Sequence, residues 1–133
     1  MYLLDTNVLS ALRRPERAEN VSNWLRTKPE EQLFVSVVTL GEIQRGIILQ
    51  EDRNPSFAAD LRRWLDRTSL LFADRLLSFG AEEARIWGKL SARIGNNGAD
   101  LQIAATALAH GAIVVTGNVS DFEPTGVKIE NPF

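Results

Sequence analysis

The run LLDTNVLS at residues 3–10 sets an apolar, strand-like segment directly against a carboxylate and then a helix-starting sequence. A strand that hands over to a helix within two residues is the joint from which layered α/β folds are built. Asp5 stands at that joint. Two further acids, Glu42 and Asp100, occur in comparable settings, each just inside the start of an expected helix, and Glu42 also follows an expected strand. Carboxylates at the C-terminal edge of an α/β sheet lie where such sheets hold ligands. Brought to ~4 Å, each pair repels by about 4 kcal/mol at an effective dielectric of ~20. A hard divalent cation relieves that repulsion most simply.

Composition narrows the choice of ion. The 133-residue chain has no cysteine and one histidine, His110. Thiolate sites, disulfides and multi-histidine zinc sites are therefore excluded. Oxygen ligands remain, which favours magnesium, manganese or calcium. The length suits one domain with one core. A net charge of −2 and a pI near 5.4 argue against a broad basic face for nucleic acid. Twelve arginines against three lysines still favour local, bidentate contacts with phosphate or carboxylate, beside ordinary surface ion pairs. No basic segment leads into an apolar stretch at the N-terminus, and no apolar run approaches a membrane span. The expected location is cytoplasmic, without membrane contact.

The pattern alternates strands with helices. Residues 2–4 read as a strand, 7–13 as a helix broken before Pro15, and 16–27 as a helix carrying Val21, Trp24 and Leu25. Residues 33–38 form a β-branched strand, and helical spacing begins at Leu40. Asn54 and Pro55 cap a further helix through Leu61, Trp64 and Leu65. A third strand is expected at 70–73, and an amphipathic helix begins within 78–82. IGNNG makes a turn. Residues 99–109 form a small-residue helix closed by Gly111, 112–116 a buried strand and 127–129 an edge strand. This order predicts an α/β fold: one mostly parallel central sheet with helices on both faces.

Each acid also has a purely structural explanation. Asp5 suits a helix N-cap, although Thr6 or Asn7 would serve equally and leave Asp5 free. Thr39-Leu40-Gly41-Glu42 fits a capping box; Gly41, a poor first-turn residue, would instead allow close approach of a backbone or ligand. Asp100 complements a helix dipole, beside alanines that imply tight packing on the sheet. Asp121, in TGNVSDF, fits an Asx-type turn as well as a site. His110 before Gly111 reads as a helix-end residue. Singly, the acids are ordinary; three in such settings in one small domain are harder to dismiss.

The segments LLDTNVLSAL, VSVVTLGEIQRGI, ADLQIAATALAHG, VVTGNVSDF and NPF, in this order along the whole chain, resemble the PIN-domain ribonucleases. The likeness is greatest to the VapC and FitB toxins of type II toxin–antitoxin pairs. It implies one PIN domain over residues 1–133 with about five strands. It implies that Asp5, Glu42 and Asp100 are the catalytic, metal-binding carboxylates, with Asp121 at the family's less regular fourth position. Asn7, Thr116 and Asn118 match small polar residues that orient carboxylates, water or substrate. Two departures stand out. Gly117 replaces an arginine common in related toxins, and IGNNGAD lacks the proline–hydrophobic pair common before the third acid.

The implied chemistry is Mg2+- or Mn2+-assisted hydrolysis of RNA phosphodiesters, in which metal-activated water needs no histidine base. The resemblance also implies a homodimer and a small DNA-binding antitoxin as partner. An excess of apolar residues around Trp24, Ile47, Ile48 and Trp64 points to self-association as well. LLDTN is also similar to the nucleophile segment of haloacid-dehalogenase-type phosphatases, but those carry a second aspartate where this chain has Asn7. A glycosidase would use paired carboxylates, yet the chain lacks the size and aromatic richness of a sugar cleft. A PIN-like scaffold that binds RNA or a partner without cutting is the non-enzymatic alternative.

Overall fold

Short apolar runs, too brief for helices, make the centre of the molecule. The computed structural model describes residues 1–133 and aligns five strands: β1 (Tyr2–Leu4), β2 (Leu33–Ser36), β3 (Leu76–Leu77), β4 (Ile113–Val115) and β5 (Ile129–Glu130). All pair in parallel, in the order β3-β2-β1-β4-β5. The chain builds outward from β1 through β2 to β3, then returns to add β4 and β5 on the other side. The reversal lies between β1 and β4. In open parallel sheets the crevice beyond the strand ends at such a reversal is the place for a ligand.

Seven helices cover the sheet: α1 (Thr6–Ala11), α2 (Glu19–Arg26), α3 (Val37–Glu51), α4 (Pro55–Leu71), α5 (Ala81–Ile94), α6 (Ala99–His110) and α7 (Val119–Phe122). Period-two alternation divides the strands between two cores. Leu4, Leu33, Val35 and Val115 pack with Val8, Val21, Ile43, Ile47, Ala58 and Leu65 of α1 to α4. Leu3 and Val114 pack with Ile103, Ala104 and Ala107 of α6 and Phe122 of α7. Each large aliphatic side chain buried in this way stabilises the fold by roughly 1.5–3 kcal/mol. The alanines of α6 let its backbone lie close to the sheet, and the helix stops at Gly111, whose φ of 64° an L side chain rarely adopts. None of the helices is long and apolar enough to cross a membrane.

Several sequence expectations need correction. The strand expected at 33–38 ends at Ser36, because the Ser36 hydroxyl accepts from the Val38 N–H at 3.0 Å and caps α3. The helix therefore starts three residues before Leu40, Thr39 is already in its first turn, and the Thr39–Glu42 capping box does not form. Residues 70–73 are not a strand; α4 continues to Leu71, and Phe72 turns into the core. The third strand is instead Leu76–Leu77, fastened by buried Arg75, whose guanidinium donates to the carbonyls of Glu30, Leu33 and Leu71. Residues 15–17 form a separate 3-10 turn, so α2 begins at Glu19.

The apolar surplus is also smaller than expected. Ile47 is fully buried, and Trp24 and Trp64 pack against the first core. Only Ile48 of that group is exposed, together with Leu49, Leu70 and Leu71. Boundaries elsewhere shift by one or two residues, as at β5, which forms at Ile129–Glu130 rather than 127–129.

Candidate active site

Asp5 follows β1 directly, and its backbone N–H extends the ladder by donating to the Val115 carbonyl at 3.0 Å. It is the N-cap of α1, a role that Thr6 and Asn7 do not take: Oδ1 accepts from the Thr6 N–H at 2.8 Å. Capping and site geometry are not alternatives here, because the second oxygen turns to other partners. Oδ2 accepts from the Thr116 hydroxyl at 2.7 Å and from Asn7 Nδ2 at 3.4 Å. Asp5 is only 2% exposed. It sits at the reversal between β1 and β4, and the residue that meets it follows β4.

Thr116 is fully buried and joins the polar residues of this edge. Its oxygen accepts from Asn7 Nδ2 at 3.2 Å and from the Asn118 N–H at 2.9 Å. Asn7 in turn accepts from the Gly117 N–H at 3.3 Å. Asn118 occupies the N-cap position of α7, although its side chain makes no capping bond.

Glu42 lies in the second turn of α3, further into the helix than the sequence suggested. Its Oε1 accepts from the Thr6 hydroxyl at 2.7 Å. That hydroxyl also lies 3.4 Å from the hydroxyl of fully buried Thr39. Sequence reasoning missed Thr6 and Thr39 as site residues. The available signal was a pair of threonines, one beside the strand-end acid and one three residues before Glu42. The space beside Gly41 is open, since a Cβ there would meet nothing within 4 Å.

Asp100 is the second residue of α6, where the helix dipole favours its charge. Asp121 lies in the short α7 and is exposed. Electrostatics links the four acids. Burial pushes the Asp5 carboxyl above its usual range; hydrogen bonds from Thr116 and the Thr6 N–H oppose the rise, while Glu42 and Asp121 add to it. Asp100 is likewise raised, first by burial and then by Asp5 and Asp121. The donor set is all oxygen and its acids repel one another, which fits a hard divalent cation. The carboxylates are neighbours rather than a closed cage, since no three of them reach the spacing of a preformed metal site. His110 lies apart, with Nε2 3.4 Å from Glu83 Oε1.

Beside Glu42 a groove of about 260 Å³ opens between α1, α3 and α4, lined by Thr6, Arg13, Glu42, Ile43, Phe57 and Trp64 among others. The Arg13 guanidinium stands 5.2 Å above the centre of the Phe57 ring. One end of the groove is thus acidic and its wall is apolar and aromatic.

A parallel sheet with acids near its reversal is an α/β arrangement whose strand-end crevice suits a ligand. The family model for the PIN domain matches residues 2–124. Toxin FitB of Neisseria gonorrhoeae is 34% identical over all of this chain and 99% of its own length. A VapC ribonuclease of Sinorhizobium fredii is 33% identical over all of this chain and 98% of its own. The solved structure of FitAB bound to an IR36 DNA fragment is similar with a TM-score of 0.83 and 33% identity, covering 99% of this chain and 95% of that one. The chain belongs to the PIN-domain family, among its VapC and FitB ribonuclease toxins.

Proposed function

We propose that this chain is a metal-dependent endoribonuclease and the toxin of a type II toxin–antitoxin pair, its residues 1–133 forming one PIN domain with Mg2+ or Mn2+ as cofactor. The observation that carries the reading is the common field of Asp5, Glu42, Asp100 and Asp121 at the sheet reversal, with Asp5 and Asp100 both raised by burial and by neighbouring acids. The names of the relatives, a ribonuclease and a toxin, support it from a second direction. A relative solved with DNA as FitAB supports a small DNA-binding antitoxin as partner.

Asp5, Glu42 and Asp100 would hold the cation, and Asp121 would stand at the rim. When bound, a divalent cation makes water a nucleophile at neutral pH and offsets charge on the phosphate. Thr116 and Asn7 fix the plane of the Asp5 carboxylate, and Thr6 fixes Glu42. Water adds to phosphorus and the bond to the ribose 3′ oxygen breaks. The products are a 5′-phosphate and a 3′-hydroxyl, since the 2′-hydroxyl takes no part.

The test is cleavage of a long RNA with Mg2+ or Mn2+ titrated in, followed by analysis of the new ends. Asp5→Asn should lower the rate by about a hundredfold or more. Ends carrying 2′,3′-cyclic phosphate, or full activity in excess chelator, would overturn the mechanism.

A further inference from the structure

The ring of Phe133 lies on Gly117. A Cβ built on Gly117 would fall 2.9 Å from Cδ2 and 3.1 Å from Cε2 of that ring, closer than carbon atoms pack. The ring fills the space that a side chain at position 117 would take. It is held there from both sides: the Phe133 N–H donates to Asn131 Oδ1 at 3.0 Å, and Asn20 Nδ2 of α2 donates to the Phe133 carbonyl oxygen at 3.1 Å. Just upstream, β5 anchors the same segment to β4, with the Thr116 N–H donating to the Glu130 carbonyl.

The ring lies beside the residue whose N–H sets Asn7. An asparagine amide can sit either way round, and only its hydrogen bonds decide between oxygen and nitrogen. The Gly117 N–H donates to Asn7 Oδ1, which turns Nδ2 toward Asp5 Oδ2 and Thr116 Oγ1. With the amide reversed, its oxygen would face the Asp5 carboxylate and its NH2 would face the Gly117 N–H, two repulsive contacts. The orientation of Asp5 thus depends on Asn7, that of Asn7 on Gly117, and the seat of Gly117 on the ring.

We propose that Phe133 is a positioning residue for the carboxylate site, acting through the Gly117 peptide and the Asn7 amide, and that Gly117 is the residue this brace requires. The proposal rests on the ribonuclease reading. Position 117 carries no side chain, and the ring of Phe133 lies in the space that one would need.

The test combines two-dimensional NMR of the Asn7 side-chain amide and the Gly117 N–H with steady-state cleavage of RNA. Phe133→Ala should move both resonances and lower kcat about tenfold, the scale of a small misplacement of catalytic groups, with KM nearly unchanged. Phe133→Tyr should restore both readouts. Gly117→Ala should cause a similar loss in the parent chain but add little on top of Phe133→Ala, because the clash is then gone. Unmoved resonances after Phe133→Ala overturn the brace, as do fully multiplicative losses in the double variant. A raised KM at constant kcat would make Phe133 a substrate contact and overturn it too. A parent protein that cuts no RNA would count against the ribonuclease reading, and the resonances would then decide the brace alone.

Discussion

The Thr6 hydroxyl donates to Glu42 Oε1 across 2.7 Å, so the residue that opens α1 holds the carboxylate in the second turn of α3. Residues that orient metal-binding carboxylates commonly change cation affinity or activity by 10- to 100-fold when removed. Thr6→Val keeps the shape and loses the donor. It should weaken Mg2+ binding measured by calorimetry, and slow cleavage, within that range. Thr6→Ser should retain both properties. Equal affinities for the parent and the valine variant would show that Glu42 needs no such anchor.

Asp100 carries a stability cost that disappears at low pH. Its folded carboxyl lies above the ordinary 3.8, raised by burial and by Asp5 and Asp121. Between those two values the folded chain binds more protons than the unfolded one, so stability falls as pH rises through the window. Below the unfolded value the cost is absent; above the folded value it is complete. Asp100→Asn should therefore raise stability at neutral pH, on the order of 1 kcal/mol, while losing cleavage. Thermal melts of the two proteins at neutral and acidic pH check this, and a variant less stable at neutral pH contradicts it.

Inhibition by the antitoxin should use the same acids. We expect an arginine or lysine of the partner to approach Asp5, Glu42 and Asp100, with apolar side chains seated in the groove by Ile43, Phe57 and Trp64. Charge pairs of this kind are strong once desolvated. Asp5→Asn should then weaken the complex at least tenfold, about 1.4 kcal/mol, as well as stop cleavage. A complex that retains full Mg2+ occupancy would point to steric exclusion of RNA instead.

Self-association should involve the exposed apolar residues rather than the tryptophans. Leu70 and Leu71 are 79% and 58% exposed at the end of α4, an adjacent pair of the kind that marks contact surfaces. Light scattering at micromolar concentration should report a dimer. Leu70→Glu with Leu71→Glu should give a monomer. A parent chain that is already monomeric would dismiss the idea.

The central strands were legible because β1, β2 and β4 are apolar runs, and β1 and β4 end in clear polar joints. The edge was not. Leu70, Leu71 and Phe72 look like a strand by composition, but α4 carries on past them and leaves two residues exposed, while the true strand has only Leu76 and Leu77. Val37 and Val38 likewise favour a strand by propensity, yet one serine hydroxyl outweighs them by capping α3. For the site, carboxylates at strand ends and helix starts can be picked from sequence. Thr6, Thr39 and the ring of Phe133 act through contacts between distant segments, which no local pattern records.

The bond between Thr116 and Asp5 spans 111 positions of sequence. Chains are made from the N-terminus, and long-range pairings close late. During synthesis Asp5 emerges among the first residues and lacks the Thr116 hydroxyl until β4 has left the ribosome and slotted in beside β1. The carboxylate site of a growing chain is therefore incomplete until its last parallel strands have joined the sheet.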